Sequence, residues 1–198
     1  MTRMKKAADP ILTDDSATFA SGDDVDAYRA QHRQVSPEVD TETMAVFGRI
    51  YRITTRMAPH IEALFAEHGL ERGEYDVLAT LLRGGPPYRK TPTDVYTSLM
   101  VSSGGLTHRL KWLEAAALVR RVPCPQDGRR LMVELTEEGY RRTKRAFEAD
   151  MRLEGQWLSE LSEEDRGQLA DLLRLLNASV PQFEKNSASE TQEAVSEG

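Results

Sequence analysis

The apolar residues between positions 40 and 68 recur every three or four residues, which is the period of one face of an α-helix. They are Met44, Phe47, Ile50, Ile53, Met57, Ile61, Leu64 and Phe65. Gly69 follows as the expected C-terminal cap. The same spacing predicts shorter helices over about 25–34 and 72–83, and Pro92 opens another helix that runs to about residue 100.

A further amphipathic helix is predicted within residues 101–117, capped by Ser102 or Ser103. Advancing about 100° per residue separates this helix into two sides. The side facing the protein body carries Leu106, Leu110, Leu113 and Ala117. The outward side carries small residues, hydrogen-bonding residues and a cation: Gly104, Thr107, His108 and Lys111.

Apolar and polar positions change to strict alternation after this helix. Residues 118–122 are expected to be extended, 123–130 to form a polar turn, and 131–135 to alternate as a second strand, with Glu134 on the polar side. Two more helices follow, from about 137 to 159 and from 163 to 179. The order predicts a mainly α protein with a small β-hairpin wing: a winged helix-turn-helix plus a helical scaffold.

The charge distribution suggests an anionic partner for this middle section. The chain has a formal net charge of −6, yet bases are concentrated between positions 83 and 130. Only Asp94, Glu114 and Asp127 oppose them there. The bases are Arg83, Arg89, Lys90, Arg109, Lys111, Arg120, Arg121, Arg129 and Arg130. A local cationic surface on an acidic body is typical of a protein with one anionic binding face.

Double-stranded DNA fits this pattern best. Small and hydrogen-bonding side chains at a helix N-terminus suit base edges and phosphates in a major groove. The predicted DNA-binding residues of the helix are Ser102, Ser103, Gly104, Thr107, His108 and Lys111. At the hairpin tip, Arg129 is suited to a narrow minor groove beside Arg130, and Asp127 is expected to orient an arginine. The alternative is a winged-helix module that binds a partner protein instead.

The sequence resembles the multiple antibiotic resistance regulator (MarR) family of bacterial transcription factors over about residues 36–179. The resemblance is strongest in ERGEYDVLATLLRGGPPYRKTPTDVY, SSGGLTHRLKWLEAAALVRR and QDGRRLMVELTEEG, where Asp127 and Arg129 match the wing motif of the family. It implies an obligate homodimer, built from the first long helix and the last two. It also implies binding to pseudo-palindromic DNA, usually to repress transcription.

The segment before residue 36 resembles the extra N-terminal helix of the urate-responsive branch of this family. There, a tryptophan of that helix, an aspartate and an arginine serve the ligand site, and Asp76 and Arg109 match the last two. His32 stands where the tryptophan is expected, and imidazole offers less stacking area, so a small anionic or aromatic effector other than urate is favoured. Loss of the response to a ligand is the alternative. The alternative for Asp76 and Arg109 is a plain salt bridge.

The remaining sequence features narrow the class of protein. We expect disordered segments at 1–20 and 181–198, a helix pair at 21–70, the DNA-binding domain at 71–136 and dimerisation helices at 137–180.

No catalytic signature, cofactor motif or metal-ligand spacing is present, so an enzyme is not expected. Cys124 is the single cysteine, expected to be exposed and inert, with oxidation sensing as the alternative. No signal peptide or membrane span is recognised, and a cytoplasmic location is expected.

Overall fold

A computed structural model describes residues 22–99 and 105–180 of the chain. Within these ranges, helices dominate and three short strands form one sheet, which confirms the predicted mainly α fold with a small wing. The predictions for residues 1–20, 101–104 and 181–198 lie outside the described residues. The helices are α1 (Asp24–Val35), α2 (Glu42–Glu67), α3 (Arg72–Arg83), α4 (Pro92–Ser98), α5 (Leu106–Ala115), α6 (Glu137–Trp157) and α7 (Glu163–Ser179).

The chain divides into two compact units, one up to Ala146 and one from Phe147 onward. The core of the first unit is centred on α3, whose side chains Val77, Leu78 and Leu81 are fully buried. Helix α3 packs against α2, α4, α5 and the sheet. It therefore holds the helix-turn-helix and the wing in one apolar cluster.

Side-chain caps fix two helix starts where the sequence predicts them. The Thr91 hydroxyl accepts a hydrogen bond from the Asp94 backbone N–H at 3.1 Å, with Pro92 at the first helical position of α4. The Ser162 hydroxyl accepts from the Asp165 N–H at 3.1 Å at the start of α7. Each bond satisfies a backbone donor that the first helical turn leaves without an intrahelical acceptor.

Helix α5 is shorter at both ends than predicted. It begins at Leu106, and the residue before it is Gly105, with a left-handed φ of 74°. Glycine adopts this conformation without steric cost, and the predicted caps Ser102 and Ser103 lie outside the described residues. The helix ends at Ala115, and Ala117 has a φ of 55° and is exposed. Ala117 therefore does not extend the buried stripe.

The sheet has three strands in the order β1-β3-β2, where the sequence predicts a two-stranded hairpin. The strands are β1 (Arg89–Lys90), β2 (Val119–Pro123) and β3 (Leu131–Leu135). The register pairs Glu134 with Arg89 on one side and with Arg120 on the other. Glu134 is consequently buried between the two arginines and forms ion pairs with both. Its assignment to the exposed side of an alternating strand is wrong because β3 is the central strand.

Helix α1 packs on α2 through one buried side chain surrounded by ion pairs. Val25 is 2% exposed, and a Cβ added at Gly48 would lie 2.9 Å from its Cγ1 atom, so this side chain fills the space above Gly48. Arg49 binds Asp26 at 2.7 Å (Nη2 to Oδ2) and Asp23 at 2.9 Å (Nε to Oδ2). The N-terminal helix expected from the resemblance is therefore present.

Hydrogen bonds join the base of the wing to the first turn of α6. The Thr136 N–H donates to the Leu118 carbonyl at 3.0 Å, and the Thr136 hydroxyl donates to the Ala117 carbonyl at 2.7 Å. The Gly139 N–H donates to that hydroxyl at 2.9 Å. A Cβ at Gly139 would overlap the Leu118 carbonyl oxygen. Only glycine fits at this point.

Exposed apolar side chains are present in both units. Helix α2 of the first unit exposes Val46, Phe47, Tyr51 and Ile53. The second unit exposes Phe147, Met151, Leu158, Leu169, Leu172, Leu173 and Leu175. Large apolar side chains exposed in this number are typical of interaction faces. Within 22–99 and 105–180, no helix combines the length and apolar character required to cross a bilayer.

Candidate functional site

The outward side of α5 is the first part of the candidate DNA-binding surface. Thr107, His108 and Lys111 are all exposed, as the helical angles predict. Leu110 and Leu113 on the opposite side are buried in the core, so α5 cannot rotate without exposing them. The other predicted contacts, Ser102, Ser103 and Gly104, lie in the part of the chain that the structure leaves undescribed. The described residues thus present hydrogen-bonding groups and one cation.

The tip of the wing is the second part of this surface. Arg129 and Arg130 are both exposed there. Asp127 shapes the turn: its Oδ1 accepts from the Arg129 N–H at 3.1 Å, and its carbonyl accepts from the Arg130 N–H at 2.9 Å. The aspartate therefore contacts the backbone of both arginines, whose side chains lie at the surface. The orientation of an arginine side chain by Asp127 stays a prediction.

Three other arginines of the basic region form ion pairs with carboxylates: Arg89, Arg120 and Arg121. Arg120 donates through Nε to Glu134 Oε1 at 2.9 Å, and Arg121 donates through Nε to Glu114 Oε1 at 2.5 Å. Their charges are partly compensated within the protein. We therefore define the cationic surface as Lys111, Arg129 and Arg130. The sequence did not reveal this distinction, because Glu134 meets Arg120 only through the strand register.

Arg109 is directed away from the exposed side of α5, toward the first turn of α3. Its guanidinium lies directly over Gly73: a Cβ added there would be 2.5 Å from both Cζ and Nε. Asp76 follows three residues later, and residues three apart share a helix face. Both Arg109 and Asp76 are half-buried. The structure thus brings Arg109 to the face of α3 that carries Asp76, as the two-residue prediction requires.

Glu74 is a buried acid of this site that the sequence analysis missed. Its side chain is 6% exposed, and its Oε2 accepts from the Glu71 N–H at 2.7 Å. Burial raises the pKa of the Glu74 carboxyl above its usual value, while that hydrogen bond and the nearby charges of Arg109 and His108 act to lower it. The sequence held one signal for this site: Gly73 stands directly before Glu74 in the first turn of a predicted helix, although glycine disfavours helix.

His32 lies elsewhere on the chain. It occupies the last turn of α1, its side chain is exposed, and its carbonyl accepts from the Ser36 N–H at 2.8 Å. Helix α1 packs on α2, whereas Arg109 contacts α3. Of the three predicted ligand residues, the structure thus brings together the elements that carry Asp76 and Arg109. The role of His32 stays a prediction.

Cys124 differs from its expected exposure. It is buried at the end of the wing, where its thiol donates to Gln126 Oε1 at 3.1 Å and its N–H donates to the Arg130 carbonyl at 2.9 Å. The turn folds back over Cys124 because Arg130 pairs with it across the hairpin. Among the described residues, no group of three or more His, Cys, Asp and Glu side chains could hold a metal ion.

An open cavity of about 450 Å³ lies between α4 and α5. Its lining comprises Pro92, Thr93, Tyr96, Gly105, Leu106 and Thr107. Because Thr107 also belongs to the exposed side of α5, this cavity opens beside the candidate DNA-binding surface. The edge of that surface is therefore concave between α4 and α5, the two helices of the helix-turn-helix.

Comparisons with known proteins agree with this architecture. The family model described as MarR family matches residues 68–130. The HTH-type transcriptional regulator PecS of Dickeya dadantii (strain 3937) is 36% identical over 143 residues, which cover 72% of this chain and 86% of PecS. PecS and two other relatives of this chain, YetL and MhqR of Bacillus subtilis (strain 168), are transcriptional regulators. This agrees with the interpretation of the sequence, in which the chain is not an enzyme.

Solved structures show the same fold. One is a structure of BpsR from Bordetella bronchiseptica, solved to explain how 6-hydroxynicotinic acid regulates its DNA binding. It has a TM-score of 0.58 and 18% identity, over 68% of this chain and 94% of BpsR. A mutant of MarR from E. coli complexed with operator DNA has a TM-score of 0.55 and 20% identity, over 73% and 96%. These structures show the fold, and the match to PecS shows that the chain belongs to the MarR family.

Proposed function

We propose that this protein is a homodimeric transcriptional regulator that binds a pseudo-palindromic operator in double-stranded DNA and acts as a repressor. A small anionic or aromatic effector releases it. The observation that carries the proposal is the exposure of both the polar side of α5 and the two arginines of the wing tip. A helix of this size fits the major groove, and an arginine-bearing wing tip suits the adjacent minor groove.

The dimer rests on the exposed apolar side chains of the helices outside the DNA-binding domain. In this proposal residues 71–136 form that domain, and residues 21–70 and 137–180 supply the dimerisation helices. Exposed apolar side chains lie on α7, at Leu172, Leu173 and Leu175, and separately on α2, at Phe47 and Tyr51. A two-fold dimer presents two copies of α5, which matches two half-sites about one helical turn apart.

The effector site rests on Arg109 and Asp76. A half-buried guanidinium attracts an anionic ligand, and such pairs are charge-assisted and directional. BpsR, a structural neighbour, is regulated by 6-hydroxynicotinic acid according to its description, and this molecule is an aromatic carboxylate. His32, in the last turn of α1, completes the proposed set.

The proposal is tested by selecting duplexes from a random DNA pool with the full chain. A palindromic consensus with half-sites about 10 base pairs apart is expected, because two recognition helices of one dimer read the same sequence in opposite directions. Light scattering on the selected complex should give two chains per duplex. Enrichment of no sequence would contradict operator binding.

Arg129→Ala is expected to weaken binding to the selected duplex by about 10-fold to 100-fold, because a base-edge or minor-groove contact contributes about 1–3 kcal/mol. The measurement is a fluorescence-anisotropy titration at fixed salt. Lys144→Ala, which removes one exposed charge from α6, is the matched control and should change affinity little. Unchanged affinity of Arg129→Ala would remove the wing tip from the proposed contact.

Arg109→Ala is expected to bind the selected duplex but to lose release by effector. The exposed groups of α5 are unchanged in this variant, while the positive charge that attracts an anionic ligand is gone. Urate and 6-hydroxynicotinate serve as probes, each titrated into the preformed DNA complex. Lys144→Ala again controls for loss of a charge. Full release of the Arg109→Ala complex would place the effector site elsewhere.

A further inference from the structure

We propose that Gly73 is the positioning residue of the effector site, because only glycine leaves room for the Arg109 guanidinium over the first turn of α3. This inference rests on the proposed function, in which Arg109 attracts an anionic effector. Gly73 touches no ligand in this account. It acts through Arg109 by setting where the positive charge lies.

The geometry requires close approach of a side chain to a backbone. A Cβ added at Gly73 would lie 2.5 Å from Cζ and Nε of Arg109 and 2.6 Å from Nη2. All three distances are far below van der Waals contact, so the guanidinium and an alanine methyl group cannot occupy these positions together. The guanidinium therefore lies flat against the helix backbone, on the face that continues to Asp76.

Glycine at position 73 lowers the intrinsic stability of helix α3, and packing alone does not explain its presence there. Gly73 is the second residue of α3, and Gly disfavours helix relative to Ala through its greater backbone entropy. The atoms that an alanine would meet belong to the far end of a flexible side chain. Gly73→Ala should therefore leave the fold intact, or slightly more stable, and displace only the Arg109 guanidinium.

Displacement of the guanidinium changes the site in two measurable ways. It removes a positive charge from the vicinity of Glu74, whose carboxyl is buried in the same turn of α3. It also removes the charged donor from the face that carries Asp76, so an anionic effector loses its charge-assisted hydrogen bonds. A purely structural role of Gly73 would produce neither change in a stably folded variant.

The experiment compares four full-length variants: Gly73→Ala, Arg109→Ala, the double variant and Gly155→Ala. Gly155 is a helical glycine whose added Cβ would meet nothing within 4 Å in its own chain, and light scattering checks that this variant is still a dimer, so it controls for the gain in helix propensity. Thermal unfolding at one fixed protein concentration establishes that each variant is folded. The selected duplex establishes that each still binds DNA.

The first readout needs no effector. Titration of the Glu74 side chain by carbon-13 NMR should show a higher pKa in Gly73→Ala than in the wild type, because Arg109 lowers it in the native site. Arg109→Ala should raise the Glu74 pKa as well, and the double variant should add no further change. Gly155→Ala should leave the pKa where it is.

The second readout is release of the duplex by urate or 6-hydroxynicotinate. The concentration for half-release should rise about tenfold or more in Gly73→Ala, which corresponds to the loss of one hydrogen bond to a charged group. The double variant should match Arg109→Ala, since two residues that act through one contact are not additive.

The outcomes separate the inference from the proposed function. An unchanged Glu74 pKa together with unchanged release in Gly73→Ala overturns the role of Gly73. Normal release of Arg109→Ala overturns the effector site itself. If neither probe releases the wild-type complex, the effector proposal fails for both ligands, and the Glu74 titration still decides whether Gly73 sets the position of Arg109.

Discussion

Raising the salt concentration from about 50 to about 200 mM is expected to weaken operator binding about a thousandfold. Lys111, Arg129 and Arg130 are exposed on each copy of the chain, which gives about six such cations in a dimer. Each phosphate that they neutralise releases counterions from the DNA. Added salt opposes this release, and the affinity falls with a slope of about −0.9 per contact on logarithmic axes.

The slope itself distinguishes cations that contact DNA from those bound within the protein. Lys111→Ala should reduce the magnitude of the slope by about 2 for the dimer, one contact from each copy. Arg120→Ala should leave it nearly unchanged, because Arg120 is hydrogen-bonded to Glu134. Anisotropy titrations of the selected duplex at four salt concentrations provide the slopes.

The same series decides between DNA and a protein partner. An interaction module of the winged-helix type would use apolar contacts, whose strength changes little over this range of salt. Affinity for the duplex that is weak and flat across the series would contradict the operator proposal. It would favour the protein-interaction alternative, for which the exposed apolar residues of α2 and α7 would be the candidate surfaces.

Gly139→Ala is expected to lower the free energy of unfolding by about 3 kcal/mol or more, which is the upper range for overpacking in a closed core. The added methyl group would overlap the Leu118 carbonyl oxygen. That carbonyl cannot withdraw freely, because Leu118 is fully buried and its oxygen accepts the Thr136 N–H. The wing, joined to α6 at this point, would have to shift.

Urea denaturation followed by circular dichroism measures the change, at one protein concentration because a dimer is stabilised by mass action. Gly155→Ala is the matched control: its Cβ has open space, so the variant should gain a few tenths to about 1 kcal/mol from helix propensity. Equal stability of Gly139→Ala and the wild type would show that the backbone relaxes at this contact.

Much of the helical framework follows from local sequence. Helix α3 has the predicted limits, Arg72 to Arg83, because its apolar period is regular and Gly84 follows it. Helices α4 and α7 begin at the predicted caps, since a Thr or Ser side chain bonds to the N–H three residues later. These features depend on residues within one helical turn.

Features that depend on distant residues were missed or wrong. Strand β1 has only two residues and follows a turn-forming segment, so neither alternation nor length marks it. Its pairing with β3 is also what buries Glu134. The start of α5 depends on Gly105, whose positive φ no local pattern required. Each error concerns a position where tertiary contacts override the local pattern.

In the candidate site, too, features set by local sequence were predicted and features set by distant residues were not. The exposure of Thr107, His108 and Lys111 follows from helical angles alone, and the structure has it. The approach of Arg109 to Gly73 joins two helices about 36 residues apart, which is set by how α5 packs on α3. A contact of this kind becomes visible only when the tertiary structure is known.

The way α1 is attached to α2 has a consequence for local unfolding. Val25 is its single buried residue among those described, and burial of one valine contributes about 1.5–3 kcal/mol. The exposed ion pairs around it add little, because solvent screens the charges. Opening of α1 therefore costs far less than global unfolding, and its amide hydrogens should exchange with solvent much faster than those of α3. Residues on such a helix, His32 among them, can be ordered or released while the core around α3 stays folded.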